Sequence, residues 1–315
     1  MTTYRIGQIV PSSNVTMETE VPALLRAREA VAPERFTFHS SRMRMTRVTP
    51  EQLRAMDAES DRCAVELSDA RVDVLGYACL VAVMSTGPGY HREAERRLHR
   101  RTAENGAPAP VVTSAGALVA GLHTLGARRV VLVTPYLRPL ARTVVDYLAH
   151  EGIEVLDHAA LEIPDNLDVA AHDPAKLPAI AGGLAHARAD AVVLSACVQM
   201  PSLAAVEEAE QQLGKPVVSA AICTAHQLLR ALGLPAFAPG AGHLLSGAYA
   251  EAPPAVPPAV PPAVQQAVPP AVPPAVPPAV PPAVQQAALR AAGSPTAAAV
   301  ARTGAEPPAG AAPPL

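Results

Sequence analysis

Two cysteines, Cys79 and Cys197, stand where chemistry is easiest to place in this chain. Each closes a short apolar run: Val72-Asp73-Val74-Leu75-Gly76-Tyr77-Ala78 before the first, Ala189-Asp190-Ala191-Val192-Val193-Leu194-Ser195-Ala196 before the second. Both runs read as buried strands of the continuous kind found in parallel sheets, each followed by a turn. A thiol at a strand-to-helix turn lies near helix-end N–H groups, which lower its pKa from about 8.5 toward or below neutrality. Those groups also attract anions. Two opposed thiols of this kind suit one of two chemistries. They can act as base and acid on a carbon beside a carboxylate, or one thiolate can add to the substrate as a nucleophile. A single cysteine after a strand is more often a small buried hydrophobe. Two at equivalent places in a repeat favour function.

The elements that position these thiols repeat. Arg5–Val10 is a short strand ending in the polar turn Pro11-Ser12-Ser13-Asn14, with Thr16 expected to cap the helix that follows. Arg35–Met43 reads as a second strand, and Thr49-Pro50-Glu51-Gln52 as a capping box. Leu53, Met56, Cys63 and Leu67 recur on one helical face, so Cys63 is a core residue. After the Val72–Ala78 strand and a charged helix, Pro110–Ala115 is a fourth strand running into an Ala-rich helix. The pattern then restarts. Arg128–Val133 ends in Thr134-Pro135-Tyr136, Gly152–Leu156 is a strand, Pro174–His186 reads as a helix, and Pro216–Ala221 matches Pro110–Ala115 almost residue for residue. From Asn14 to Cys79 is 65 residues, and from Tyr136 to Cys197 is 61.

The expected fold is therefore α/β, with two similar Rossmann-like halves, 1–125 and 126–249. Each has a parallel sheet flanked by helices, and a pseudo-twofold axis relates them. Right-handed crossovers put every strand C-terminus on one edge, where ligands bind in such sheets. Asn14 and Cys79 fall on that edge in the first half, Tyr136 and Cys197 in the second. The polar turns around Asn14 and Tyr136 can hold a small carboxylate without an arginine.

Composition narrows the classes. The chain has 315 residues and a formal net charge of −3, which implies no bulk attraction to nucleic acid or anionic membrane. Tryptophan is absent, which argues against a base-stacking surface. No apolar run reaches membrane-spanning length and no secretory leader is visible, so a cytoplasmic protein with free thiols is expected. The four cysteines show no metal-ligand spacing, and no dinucleotide or phosphate-loop fingerprint occurs. Nineteen of the 35 prolines lie beyond Ala252, and from Pro253 to Gln286 the chain repeats PPAV with two QQ interruptions. Residues 250–315 are thus expected to be a disordered, extended tail.

Val10-Pro11-Ser12-Ser13-Asn14-Val15-Thr16-Met17-Glu18-Thr19-Glu20, Gly76-Tyr77-Ala78-Cys79 and Gly89-Tyr90-His91 resemble the maleate cis–trans isomerases of the Asp/Glu racemase superfamily. The resemblance covers about the first 250 residues. It implies isomerisation of maleate to fumarate without cofactor or metal. Cys79 matches the family nucleophile, which forms a covalent succinyl-cysteine, and Cys197 matches the second cysteine, which assists proton transfer or expulsion. Asn14, Tyr136 and Asn166 match the polar residues that grip the carboxylates. From the residues alone, an Asn after Pro164-Asp165 is a turn residue. Leu80 and Val81, beside the nucleophile, are apolar and suited to closing over a flat diacid and excluding water. A homodimer is also implied.

Three alternatives stand beside this reading. Racemases of the superfamily usually carry Cys-Asn-Thr and Gly-Cys-Thr-His, where this chain has Cys79-Leu80-Val81 and Cys197-Val198-Gln199. Arylmalonate decarboxylases keep only the second cysteine. A non-catalytic small-dicarboxylate binding protein on the same fold would bind without turnover.

Overall fold

The computed structural model describes residues 1–250. The expected tail, except for its first residue, lies outside the described residues.

Two four-stranded, all-parallel sheets form the frame. The first contains β1 (Thr3–Pro11), β2 (Arg35–Met43), β3 (Val74–Tyr77) and β4 (Val111–Thr113) in the order β2-β1-β3-β4. The second contains β5 (Arg129–Thr134), β6 (Glu154–Ala160), β7 (Ala191–Ser195) and β8 (Val217–Ser219) in the order β6-β5-β7-β8. The order is the same when the second set is renumbered from its own first strand, as the sequence repeat predicts. β3 and β7 are buried along their whole lengths, which is why they read as continuous apolar runs rather than alternating ones.

The crossovers are helical. In the first half they are α1 (Met17–Glu29), α2 (Pro50–Asp69), α3 (Leu80–Thr86), α4 (Tyr90–Glu104) and α5 (Ser114–Thr124). In the second they are α6 (Arg138–His150), α7 (Asn166–Ala170), α8 (Leu177–Gly182), α9 (Val206–Leu213) and α10 (Ala220–Ala231). The last strand of each half turns directly into a helix capped by its final hydroxyl residue. Thr113 accepts from the Gly116 N–H at 3.0 Å, and Ser219 from the Ile222 N–H at 3.2 Å. Helices α5 and α10 pack together across the halves. Gly121 permits this, because a Cβ there would lie 2.6 Å from Cys223 Sγ. Cys63 and Cys223 are core residues with no exposed surface.

Three local expectations are corrected. Thr16 precedes α1 but its side chain caps nothing; the Asn14 Oδ1 accepts the Thr16 and Met17 N–H groups at 3.1 and 3.0 Å, while the Thr16 hydroxyl turns to the Gln199 carbonyl. At α2, Thr49 caps as expected, but Gln52 does not reach back to it, accepting instead from the Thr46 and Arg47 N–H groups. The stretch 174–186 is not one helix: a 3-10 turn leads into α8, which ends at Gly182-Gly183 because glycine is a poor helix former. No helix among the described residues is long and apolar enough to cross a membrane.

Candidate active site

All strands of a parallel sheet point the same way, so the residues just past their ends collect on one edge. Cys79 lies two positions beyond β3, and Cys197 two positions beyond β7. Asn14 follows β1, and Tyr136 follows β5. These four, with Leu80, Val81 and Asn166, line one small pocket. All seven therefore lie at one cavity, and both cysteines open onto it. Pro11, Met45, Val48, Val198 and Gln199 complete the lining. Among the described residues, none that lines the pocket carries a cationic side chain, so a carboxylate here is held by neutral donors.

The sequence reading missed the five residues just named. Met45 carries a signal in retrospect: it is apolar among Arg44, Thr46 and Arg47, yet only 3% exposed. Gln199 sits two residues past Cys197. Asn166 is also placed differently from the turn expected on its residue type. It is the first residue of α7, behind an Asp165 side chain that accepts the Leu167 N–H at 2.7 Å.

Both amides are oriented. Asn14 Oδ1 is occupied by the start of α1, which leaves its NH₂ for the pocket. Asn166 Nδ2 donates to Ser13 Oγ at 2.8 Å across the two halves, which leaves its second N–H for a ligand. The Tyr136 hydroxyl opens onto the same pocket as the Cys197 sulfur, close enough for each to raise or lower the acidity of the other. Neutral donors held in place this way stabilise carboxylates without reorganising.

The thiols do not behave as the turn geometry alone suggested. Burial dominates and pushes the Cys79 thiol up to about 12; one backbone donor, from Ala82, opposes it, and Cys197 and Asp57 add to the rise. Burial also raises Cys197, but three groups offset it: the Tyr136 hydroxyl and the N–H groups of Gln199 and Met200. Desolvation of a thiolate outweighs the few dipoles of a seven-residue helix such as α3. Cys197 is thus the better supported as an anion, and Cys79 rests as a thiol.

Cys79 also has an unusual backbone. Its φ of 99° and ψ of 78° fall in left-handed space, where a side chain costs about 1–3 kcal/mol. Tyr77, just before it, is locked by a hydroxyl donated to Asp57, which also accepts from Tyr90 at 2.7 Å and from Arg97 at 3.1 Å. Cys79→Gly should therefore be more stable than Cys79→Ala by about 1 kcal/mol, because glycine alone enters this region freely. Urea midpoints of the two variants test this; an alanine variant of equal or greater stability would refute the strain.

Comparison with known proteins gives the family. A family model described as arylmalonate decarboxylase matches residues 6–245. The maleate isomerase of Pseudomonas putida is 66% identical over 246 residues, 78% of this chain and 98% of that protein. The solved structure of a cysteine-to-alanine variant of the maleate isomerase Iso from Pseudomonas putida with maleate is 63% identical, with a TM-score of 0.78 over 79% of this chain and 100% of that one. A cysteine-to-serine mutant of the Nocardia farcinica maleate cis-trans isomerase, solved with a covalently bound succinylcysteine intermediate, is 51% identical, with a TM-score of 0.74 over 77% and 98%. With two repeated halves, two cysteines on one pocket and this degree of identity across almost the full length of its relatives, the chain belongs to the maleate isomerases, within the broader group that the arylmalonate decarboxylase model describes.

Proposed function

We propose that the protein isomerises maleate to fumarate without a cofactor, through a succinyl adduct on Cys79, with Cys197 moving the proton. The observation that carries this reading is the pair of cysteines on one small pocket whose polar lining is neutral and donor-rich. Arylmalonate-type decarboxylation is less well supported, because a second cysteine, Cys79, lines the pocket beside Cys197.

The steps balance with one proton. Cys197 starts as the thiolate and takes the proton of Cys79 as that sulfur bonds to one alkene carbon. Cys197 then gives the proton to the other carbon, and the former double bond is single. Rotation about it carries one carboxylate to the trans side. Cys197 removes the proton again, the carbon–sulfur bond breaks, and fumarate leaves as Cys79 recovers its proton. Asn14, Tyr136 and Asn166 hold the carboxylates, while Leu80 and Val81 shield the adduct from water. Each half, 1–125 and 126–249, supplies one cysteine, and the remaining tail takes no part. A cytoplasmic homodimer completes the reading.

Proton NMR of the protein with maleate tests it: fumarate should appear with no additive. Racemisation of aspartate or glutamate, or binding of maleate with no turnover, would overturn it. The rate should also respond to pH. Because burial raises Cys197, its active thiolate becomes more abundant as pH rises, so kcat/KM should climb about tenfold per pH unit between about pH 7 and 9 until that pKa is passed. A flat profile over this range would exclude Cys197 as the starting base.

A further inference from the structure

Gln199 is 2% exposed and connects more of the pocket than any residue the reaction itself needs. Its Oε1 accepts the Val15 N–H at 2.9 Å, and its Nε2 donates to the Ser13 carbonyl at 2.9 Å. Those two residues flank Asn14. The same Nε2 donates to the carbonyl of Asn166 at 2.8 Å. One side-chain amide therefore fixes the backbone on both sides of one asparagine and at the other. Its main chain is engaged as well: its carbonyl accepts the Thr16 hydroxyl at 2.7 Å, and its N–H points to Cys197 Sγ at 3.4 Å.

The loop that carries Gln199 is held independently a few residues on. The buried Glu20 carboxylate of α1 accepts the Ser202 and Leu203 N–H groups at 2.6 and 2.7 Å. Glu20 is thus enough to dock the loop on α1. The added contacts of Gln199 go instead to the turns that carry Asn14 and Asn166, which lie far apart in sequence and come from different halves. A side chain two atoms shorter would not span them, and a carboxylate would repel the Ser13 and Asn166 carbonyls.

We propose that Gln199 is a positioning residue that sets the spacing of the two asparagine donors, and so matches the pocket to the separation of two carboxylates. This rests on the maleate reading above. Because the asparagines grip the diacid before and during the reaction alike, losing their spacing should raise KM more than it lowers kcat.

Steady-state kinetics with maleate on the wild type, Gln199→Met and Gln199→Glu test the proposal. Gln199→Met should raise KM about tenfold or more, with a smaller change in kcat. Gln199→Glu keeps the size and carries the test should the methionine variant not fold. Its KM, as a ratio to wild type at each pH, should be raised near neutrality and fall on acidification, as the protonated acid regains a donor. A role confined to holding the fold would reduce the active fraction, and so kcat, and leave KM alone. Folded variants with a KM within about twofold of wild type at every pH would overturn the proposal. A wild type that does not turn over maleate would instead sink the functional reading itself, and the inference with it.

Discussion

Cys79→Ser should reduce maleate turnover by a factor on the order of 10⁴ or more while leaving the fold intact. Serine keeps nearly the volume of cysteine and its strained backbone, so the pocket should hold its shape. What changes is the nucleophile. The Cys79 thiol is already pushed up to about 12 by burial, and a hydroxyl in the same place is a far weaker acid. Cys197 can take a proton from a thiol as carbon–sulfur bonding begins, but it is too weak a base to do so from an alcohol. Maleate should still bind, since Asn14, Tyr136 and Asn166 are untouched, and isothermal titration should find an affinity close to that of the wild type. A serine variant that isomerises maleate at a rate within about tenfold of wild type would end the covalent mechanism, because rotation would then need no bond to residue 79.

Cys197→Ser should slow turnover by about 10²–10⁴-fold, the range that a positioned acid or base usually contributes, and should change which species accumulates. With solvent as a slow proton carrier the adduct can still form, but the hydroxyl cannot serve as the thiolate that removes the carbon-bound proton, so the adduct has no efficient partner to release it. Intact-protein mass spectrometry after incubation with maleate should show a mass gain equal to one maleic acid, mapped by peptide analysis to Cys79. The Cys79→Ser/Cys197→Ser double variant should show no gain. The relevant neighbours are already arranged for this role: the Tyr136 hydroxyl and two backbone N–H groups support an anion at Cys197, whereas Cys79 has one backbone donor. Equal loss in both single variants, with no adduct in either, would favour a pair of general acids and bases over a nucleophile and its helper.

Architecture and four of the pocket residues follow from the repeat in the amino-acid sequence. Two buried apolar runs, each ended by a cysteine and each preceded by a strand closed with a polar turn, can be satisfied only by paired parallel sheets. In such sheets chain direction alone sends every strand end to the same edge. Asn14, Cys79, Tyr136 and Cys197 were therefore legible from position in the repeat. Asn166 was not: its residue type and its Pro164-Asp165 context say turn, and only its match to related sequences marked it out. Tertiary structure decided the rest, because the rest depends on surroundings that no local pattern encodes. The proximity of an α3 N–H group suggests an acidic thiol at Cys79, yet the depth of the pocket decides the sign, since desolvating a charge outweighs one or two dipoles. The left-handed backbone at Cys79 has no signature in a non-glycine residue. Gln199 reads in sequence as one polar residue in a loop; the three partners of its side-chain amide, Ser13, Val15 and Asn166, lie more than thirty positions away, and only folding brings them within its reach.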